Sequence, residues 1–206
     1  LHQIREGIVQ AFNAATRPAI DTLGQVSFAI ARLARDGEAG AFELRDDDPF
    51  ERYERYLDTC VASHQGALLA RYFARYRRFM FEDWLPEGSW TGLETCVDYD
   101  PEWRAQLDPR ASSLNGLLRR YLAHRFFHVF DEHRDGVELS FRYTAVTHGV
   151  ALAFRLAVGV SRWLERPVDR ALLRVSIGAS EYFFRNILPD LIRPGLPVFD
   201  PYASTG

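Results

Sequence analysis

Residues 141–165 read FRYTAVTHGVALAFRLAVGVSRWLE. Wound into a helix, this stretch is apolar on nearly every side and rich in Ala, Val and Leu, which places it at the centre of a core rather than on a surface. Outward from it, Arg134-Asp135-Gly136 reads as a turn. Before that turn, Ser112 or Ser113 opens a helix to about His133 that carries Leu117, Leu118, Tyr121, Leu122, Phe126 and Val129 at helical spacing. After the central stretch, Pro167 with Asp169 starts a last long helix holding Leu172, Val175, Ile177, Tyr182, Phe183 and Ile187. Pro189, Pro194, Gly195, Pro197 and Pro201 then end regular structure and leave an irregular, Pro-rich tail.

The N-terminal half has the same period. Ile4, Ile8, Val9 and Phe12 mark a helix over 1–14, and Thr16, as a cap ahead of Pro18, starts a second with Ile20, Leu23, Val26, Ile30 and Leu33, ending near Gly37. Residues 37–47 read as a surface loop. Asp48-Pro49-Phe50-Glu51 has the form of a capping box, with Asp48 accepting from the first-turn amides of a helix to about Ser63. A further helix is expected over about 65–84, with Arg71, Arg75 and Arg78 on one face and Leu68, Leu69, Tyr72, Phe73, Tyr76 and Phe79 on another. From 85 to about 110 the pattern breaks into a long irregular insertion, with a short helix expected around Glu102 to Leu107. No strand alternation and no fixed-period repeat is visible. The expected fold is all-α, a single bundle of six or seven helices over 1–206.

Composition narrows the function classes. All 25 basic residues are Arg, and 28 acidic residues leave a net charge of −3, which gives no electrostatic case for a nucleic-acid partner. The one Met is Met80 and the chain opens at Leu1, so the sequence is expected to be the C-terminal part of a longer chain. Cys60 and Cys96 form no CxxC pair; reduced structural thiols and a cytoplasmic location are expected, with no thiolate metal or iron–sulfur site within this segment. There is no signal peptide and no uncharged run of 18 apolar residues, so no membrane partner is expected.

Three constellations carry chemistry by type and spacing. His124, His128 and Glu132 recur every four residues along one helix face, where two imidazoles could share a divalent metal, and a metal enzyme built on the three is a third alternative; the HExxH and ExxH motifs of metal helices are absent, so a solvated or hydrogen-bonded His pair and no metal site is the expected reading. The Arg/Tyr run at 71–78 reads as an amphipathic helix with snorkelling Arg, or as a contact for phosphates or an acidic surface. Glu181, Tyr182, Arg185 and Asn186, together with Tyr121, Arg125 and His128, are candidates to line a polar substrate pocket; the plainer account of Glu181 and Arg185 is an i, i+4 ion pair. No phosphate loop, nucleophile elbow or triad is found.

The stretch Leu118-Arg119-Arg120-Tyr121-Leu122-Ala123-His124-Arg125-Phe126-Phe127, the apolar helix Tyr143 to Ala157, and Ser180-Glu181-Tyr182-Phe183-Phe184-Arg185-Asn186 resemble the C-terminal helical region of the flagellin lysine N-methylase family. The likeness covers Leu114 to Ile192 and rests on aromatic and Arg positions. It implies a bacterial cytoplasmic enzyme that transfers methyl groups from S-adenosylmethionine to lysines of flagellin. The family's Cys-rich segment, with its iron–sulfur cluster, lies in an N-terminal half that this sequence does not contain, so no catalytic residue is carried over. The alternative is a non-catalytic all-α ligand-binding or dimerisation module of a regulator.

Overall fold

Seven helices are found among the described residues of the computed structural model, which are 2–14, 16–36, 42–63, 98–131, 139–192 and 198–202. Side chains are described for these except at 2, 129–131, 139–142 and 183–192. The helices are α1 (His2–Ala14), α2 (Ala19–Asp36), α3 (Phe50–Ser63), α4 (Trp103–Gln106), α5 (Ser112–Asp131), α6 (Leu139–Trp163) and α7 (Arg170–Ile192). The fold is all-α, as the periodicity predicts. The helix expected over 65–84 with its Arg face, the insertion up to 97, Glu132 and the turn at 134–136 lie outside the described residues.

The chain divides into two compact units, one of Leu1–Leu57, Pro109–Thr147 and Pro197–Gly206, the other of Asp58–Asp108 and His148–Leu196. In the first, α1 and α2 pack on α5. The α5 residues Leu114, Leu118, Leu122 and Phe126, at i, i+4 spacing, form its buried stripe. Phe126 stacks on Phe12 of α1 at 5.7 Å and on Tyr143 of α6 at 5.9 Å. The C-terminal segment is irregular, as expected, but it is packed. Phe199 sits between Phe28, Tyr53 and Tyr56 with ring centroids 5.0, 5.7 and 5.1 Å away, and the Pro201 carbonyl accepts from the Arg52 guanidinium. A fully buried aromatic side chain contributes roughly 1.5–3 kcal/mol by leaving water, which fixes this segment despite its lack of helix.

Two helix starts differ from the sequence expectation. The Ala19 amide donates to the Asn115 side-chain oxygen at 2.6 Å, so α2 is capped by a residue of α5 and not by Thr16. Asp48 gives one oxygen to Arg32 at 2.6 Å, and its other oxygen makes no hydrogen bond, so it anchors an ion pair rather than the first turn of α3. Arg32 is buried, and a buried guanidinium needs that carboxylate together with the Glu43 carbonyl, 2.6 Å away, more than the α3 terminus needs a side-chain cap.

The second unit is built on α6. Its Leu152, Phe154, Leu156 and Ala157 are fully buried, and Phe154 stacks on Trp103 of α4 at 5.6 Å. The short α4 lies within the expected 102–107. By length and composition the Tyr143–Trp163 stretch is apolar enough to cross a bilayer, but 94% of its most apolar window is buried inside the protein, as in a core helix. A Schellman turn ends α6. The Arg166 amide donates to the Ser161 carbonyl at 3.1 Å and the Glu165 amide to the Arg162 carbonyl at 3.2 Å, with Glu165 at φ 52° where glycine is usual. Asp169 caps α7 as expected, accepting from the Leu172 amide at 2.7 Å. The helix then continues through Pro189 to Ile192, three residues beyond its expected end. One proline near a helix terminus removes one hydrogen bond, and the last turn persists.

Candidate functional site

The residues expected to line a polar pocket fall on two helices. Tyr121, Arg125 and His128 lie on α5 in the first unit, Tyr121 and Arg125 half-buried beside the Leu118–Leu122–Phe126 stripe and His128 exposed. Glu181 and Tyr182 are half-buried on α7 in the second unit. Arg185 and Asn186 are in the same helix, Asn186 within it and not in a terminal turn, and their side chains lie outside the described ones.

His124 and His128 meet, as their spacing predicts. Both are exposed, their rings are 4.3 Å apart at 60°, and the two Nε2 atoms are 3.1 Å apart. Among the described residues no group of three or more His, Cys, Asp or Glu side chains converges.

The first unit also holds a cleft of about 490 Å³ that sequence reasoning does not reveal. One wall is a single face of α2, with Ser27, Ile30, Ala31, Ala34 and Arg35 at i, i+3, i+4, i+7 and i+8. Tyr143 and Thr144 from the start of α6 form a second wall, and Val198, Phe199, Asp200 and Tyr202 a third. The Ser27 and Tyr143 hydroxyls both meet the Leu23 carbonyl, at 2.8 and 3.1 Å, and also meet each other. Burial, reinforced by Tyr53, holds the Tyr143 hydroxyl well above the usual tyrosine range, so it stays protonated. At the mouth the Arg35 guanidinium lies 4.1 Å from the Tyr202 ring centroid and 2.8 Å from Asp36, whose hydrogen bond is the main cause raising its pKa. The volume suits a small organic ligand, and the lining offers apolar walls with one cation at the rim.

A smaller hollow of about 320 Å³ in the same unit is lined mostly by charges. Arg110 pairs there with Asp21 at 2.8 Å and Glu54 at 3.1 Å, and Arg17 with Asp46 at 2.8 Å, so both of these guanidinium groups are already engaged by carboxylates.

In the second unit, buried polar groups serve the scaffold. The Cys60 Sγ and His148 Nε2 atoms are 3.5 Å apart, and both residues are fully buried. Burial pushes the Arg155 guanidinium below its ordinary pKa against the opposing pull of Asp98 and Tyr99, and it donates to the Val61 carbonyl at 3.2 Å. Asp58 accepts from the Trp103 indole at 3.2 Å and from Arg104 at 2.9 Å. Comparison with protein-family models, with curated proteins and with solved structures finds no match.

Proposed function

We propose that this chain is the C-terminal helical domain of a lysine N-methylase-like protein, a flagellin-modifying enzyme that uses S-adenosylmethionine, and that it helps to hold the protein substrate or to wall the active site. One observation carries this reading: the three stretches that resemble the family, 118–127, 143–157 and 180–186, each fall within one uninterrupted helix, α5, α6 and α7. Methyl transfer needs the lysine amine neutral and aimed, a task for a carboxylate beside an aromatic ring. Glu181 and Tyr182, both half-buried on α7, are the groups of these types that the reading assigns to that task. An iron–sulfur cluster takes four cysteines as a rule, and this chain has two, so the cluster would belong to the family's Cys-rich segment. The test is Glu181→Ala in the full-length enzyme. Loss of methylation or of flagellin affinity supports the reading, and unchanged values for both sink it.

A second reading is favoured by the cleft between α2, the start of α6 and residues 198–202. There the chain would be a non-catalytic helical module that binds a small, largely apolar ligand. A ligand-induced rise in Tm that Ile30→Trp abolishes, with flagellin methylation absent from the full-length protein, would favour this module over the enzyme.

A further inference from the structure

We propose that His124 and His128 form a bidentate site for a divalent transition-metal ion that prefers nitrogen ligands, such as Cu²⁺, Ni²⁺ or Zn²⁺. The helix sets the geometry: residues four apart on α5 stand one above the other on the same face, and both imidazoles are exposed to solvent. Their Nε2 atoms, the ring nitrogens farthest from the backbone, lie 3.1 Å apart. Two nitrogens each about 2.0–2.1 Å from one ion and at adjacent coordination positions stand about 2.9–3.3 Å apart, so the observed separation is the bite of a chelate. Two neutral imidazoles at this distance share either a proton or a metal, because their lone pairs otherwise repel.

The surroundings select the class of ion. The Phe127 ring, whose centroid lies 5.5 Å from that of His128, carries the Arg5 guanidinium of α1 at 4.8 Å, so this side of the pair is lined by an aromatic ring and a cation-bearing side chain rather than by oxygen ligands. A hard ion such as Mg²⁺ or Ca²⁺ is bound by oxygen ligands, which two imidazoles do not supply. An ion that accepts electron density from imidazole nitrogen suits the pair, in the order Cu²⁺ above Ni²⁺. Two imidazoles alone make a chelate of modest affinity, with further coordination positions open to additional ligands.

The experiment is a titration of the whole chain with Cu²⁺, and separately with Ni²⁺, in a non-chelating buffer, followed by calorimetry and thermal melting. One equivalent of each ion is expected, Cu²⁺ tighter, with a rise in Tm as the ion staples one turn of α5; Mg²⁺ leaves Tm unchanged. His124→Gln and His128→Gln each weaken binding by at least about tenfold, because the second ligand no longer binds intramolecularly. Two nitrogen ligands in the Cu²⁺ electron paramagnetic resonance spectrum, reduced to one in either variant, give a readout independent of stability. The variants keep His2, His64, His133 and His148, so a double variant that binds as tightly as the native chain overturns the proposal, as does a native chain that binds neither ion.

Discussion

The Asn115 side-chain oxygen accepts the Ala19 amide at 2.6 Å, so a residue of α5 caps a helix that begins 96 positions earlier in the chain. A helix N-terminus leaves its first amides without partners, and the usual remedy is a Ser, Thr, Asp or Asn directly before it. Here the neighbouring helix provides the acceptor, which ties the start of α2 to α5. Asn115→Ala is expected to lower stability by about 1 kcal/mol. Asn115→Asp, which keeps the acceptor, should stay near the native value. Urea unfolding of the three proteins checks this, and equal midpoints for the native chain and Asn115→Ala would show the cap to be idle.

Gly24 and Gly178 both sit inside helices, and they respond oppositely to a methyl group. A Cβ at Gly24 would lie 2.6 Å from the Phe50 ring and 3.0 Å from Tyr53, at the contact of α2 with the first turn of α3. A Cβ at Gly178 meets nothing within 4 Å. A tight helix crossing is therefore absent at Gly178 and present at Gly24. Gly24→Ala should destabilise by about 1–3 kcal/mol through overpacking. Gly178→Ala should stabilise by about 0.5–1 kcal/mol through helix propensity. Paired thermal melts decide it, and shifts of the same sign in both variants would contradict this account.

The Arg32–Asp48 pair, at 2.6 Å with side chains 9% and 11% exposed, is shielded from solvent. Removing one partner leaves a buried charge alone, so Asp48→Ala should cost about 3 kcal/mol. Replacing both, as Arg32→Met with Asp48→Ala, should recover most of that loss. A double-mutant cycle measures the coupling, and additive losses would mean that the pair is not what holds residues 43–48 to α2.

Tyr143 makes stability fall in alkali. Its hydroxyl is held above the usual range when folded, chiefly by burial, whereas the unfolded chain ionises it near the ordinary value of about 10. The folded state therefore binds the proton more tightly. The contribution is complete below about pH 10 and is lost as pH climbs through the raised folded value. Between about pH 9 and 11 the native chain should lose more stability than Tyr143→Phe does. Parallel losses in the two proteins would assign the alkaline decline to other groups.

Much of the fold is legible in the sequence because helix period and capping chemistry are local. The Leu118–Leu122–Phe126 part of the α5 stripe, the apolar α6, the Asp169 cap and the short α4 all stand where the pattern puts them, while Leu117 and Tyr121 are only half-buried and Leu114 joins the stripe. What fails are inferences that need a neighbour: Thr16 is passed over for Asn115, and Asp48 turns to Arg32. The candidate sites divide in the same way. The His124–His128 pair is visible as a spacing of four on one helix, but the cleft joins residues 27–35, 143–144 and 198–202, which no local pattern connects.

By itself the sequence determined that the described part of this protein is helical and where the described helices start and stop to within a few residues, because those properties depend on groups a turn or two apart. Tertiary structure alone decided which side chain satisfies each buried polar group, that Phe199 closes an aromatic cluster, and that a cleft opens beside Tyr143. Such choices turn on a few kcal/mol of contact between distant segments, and a one-dimensional pattern carries no distance between them.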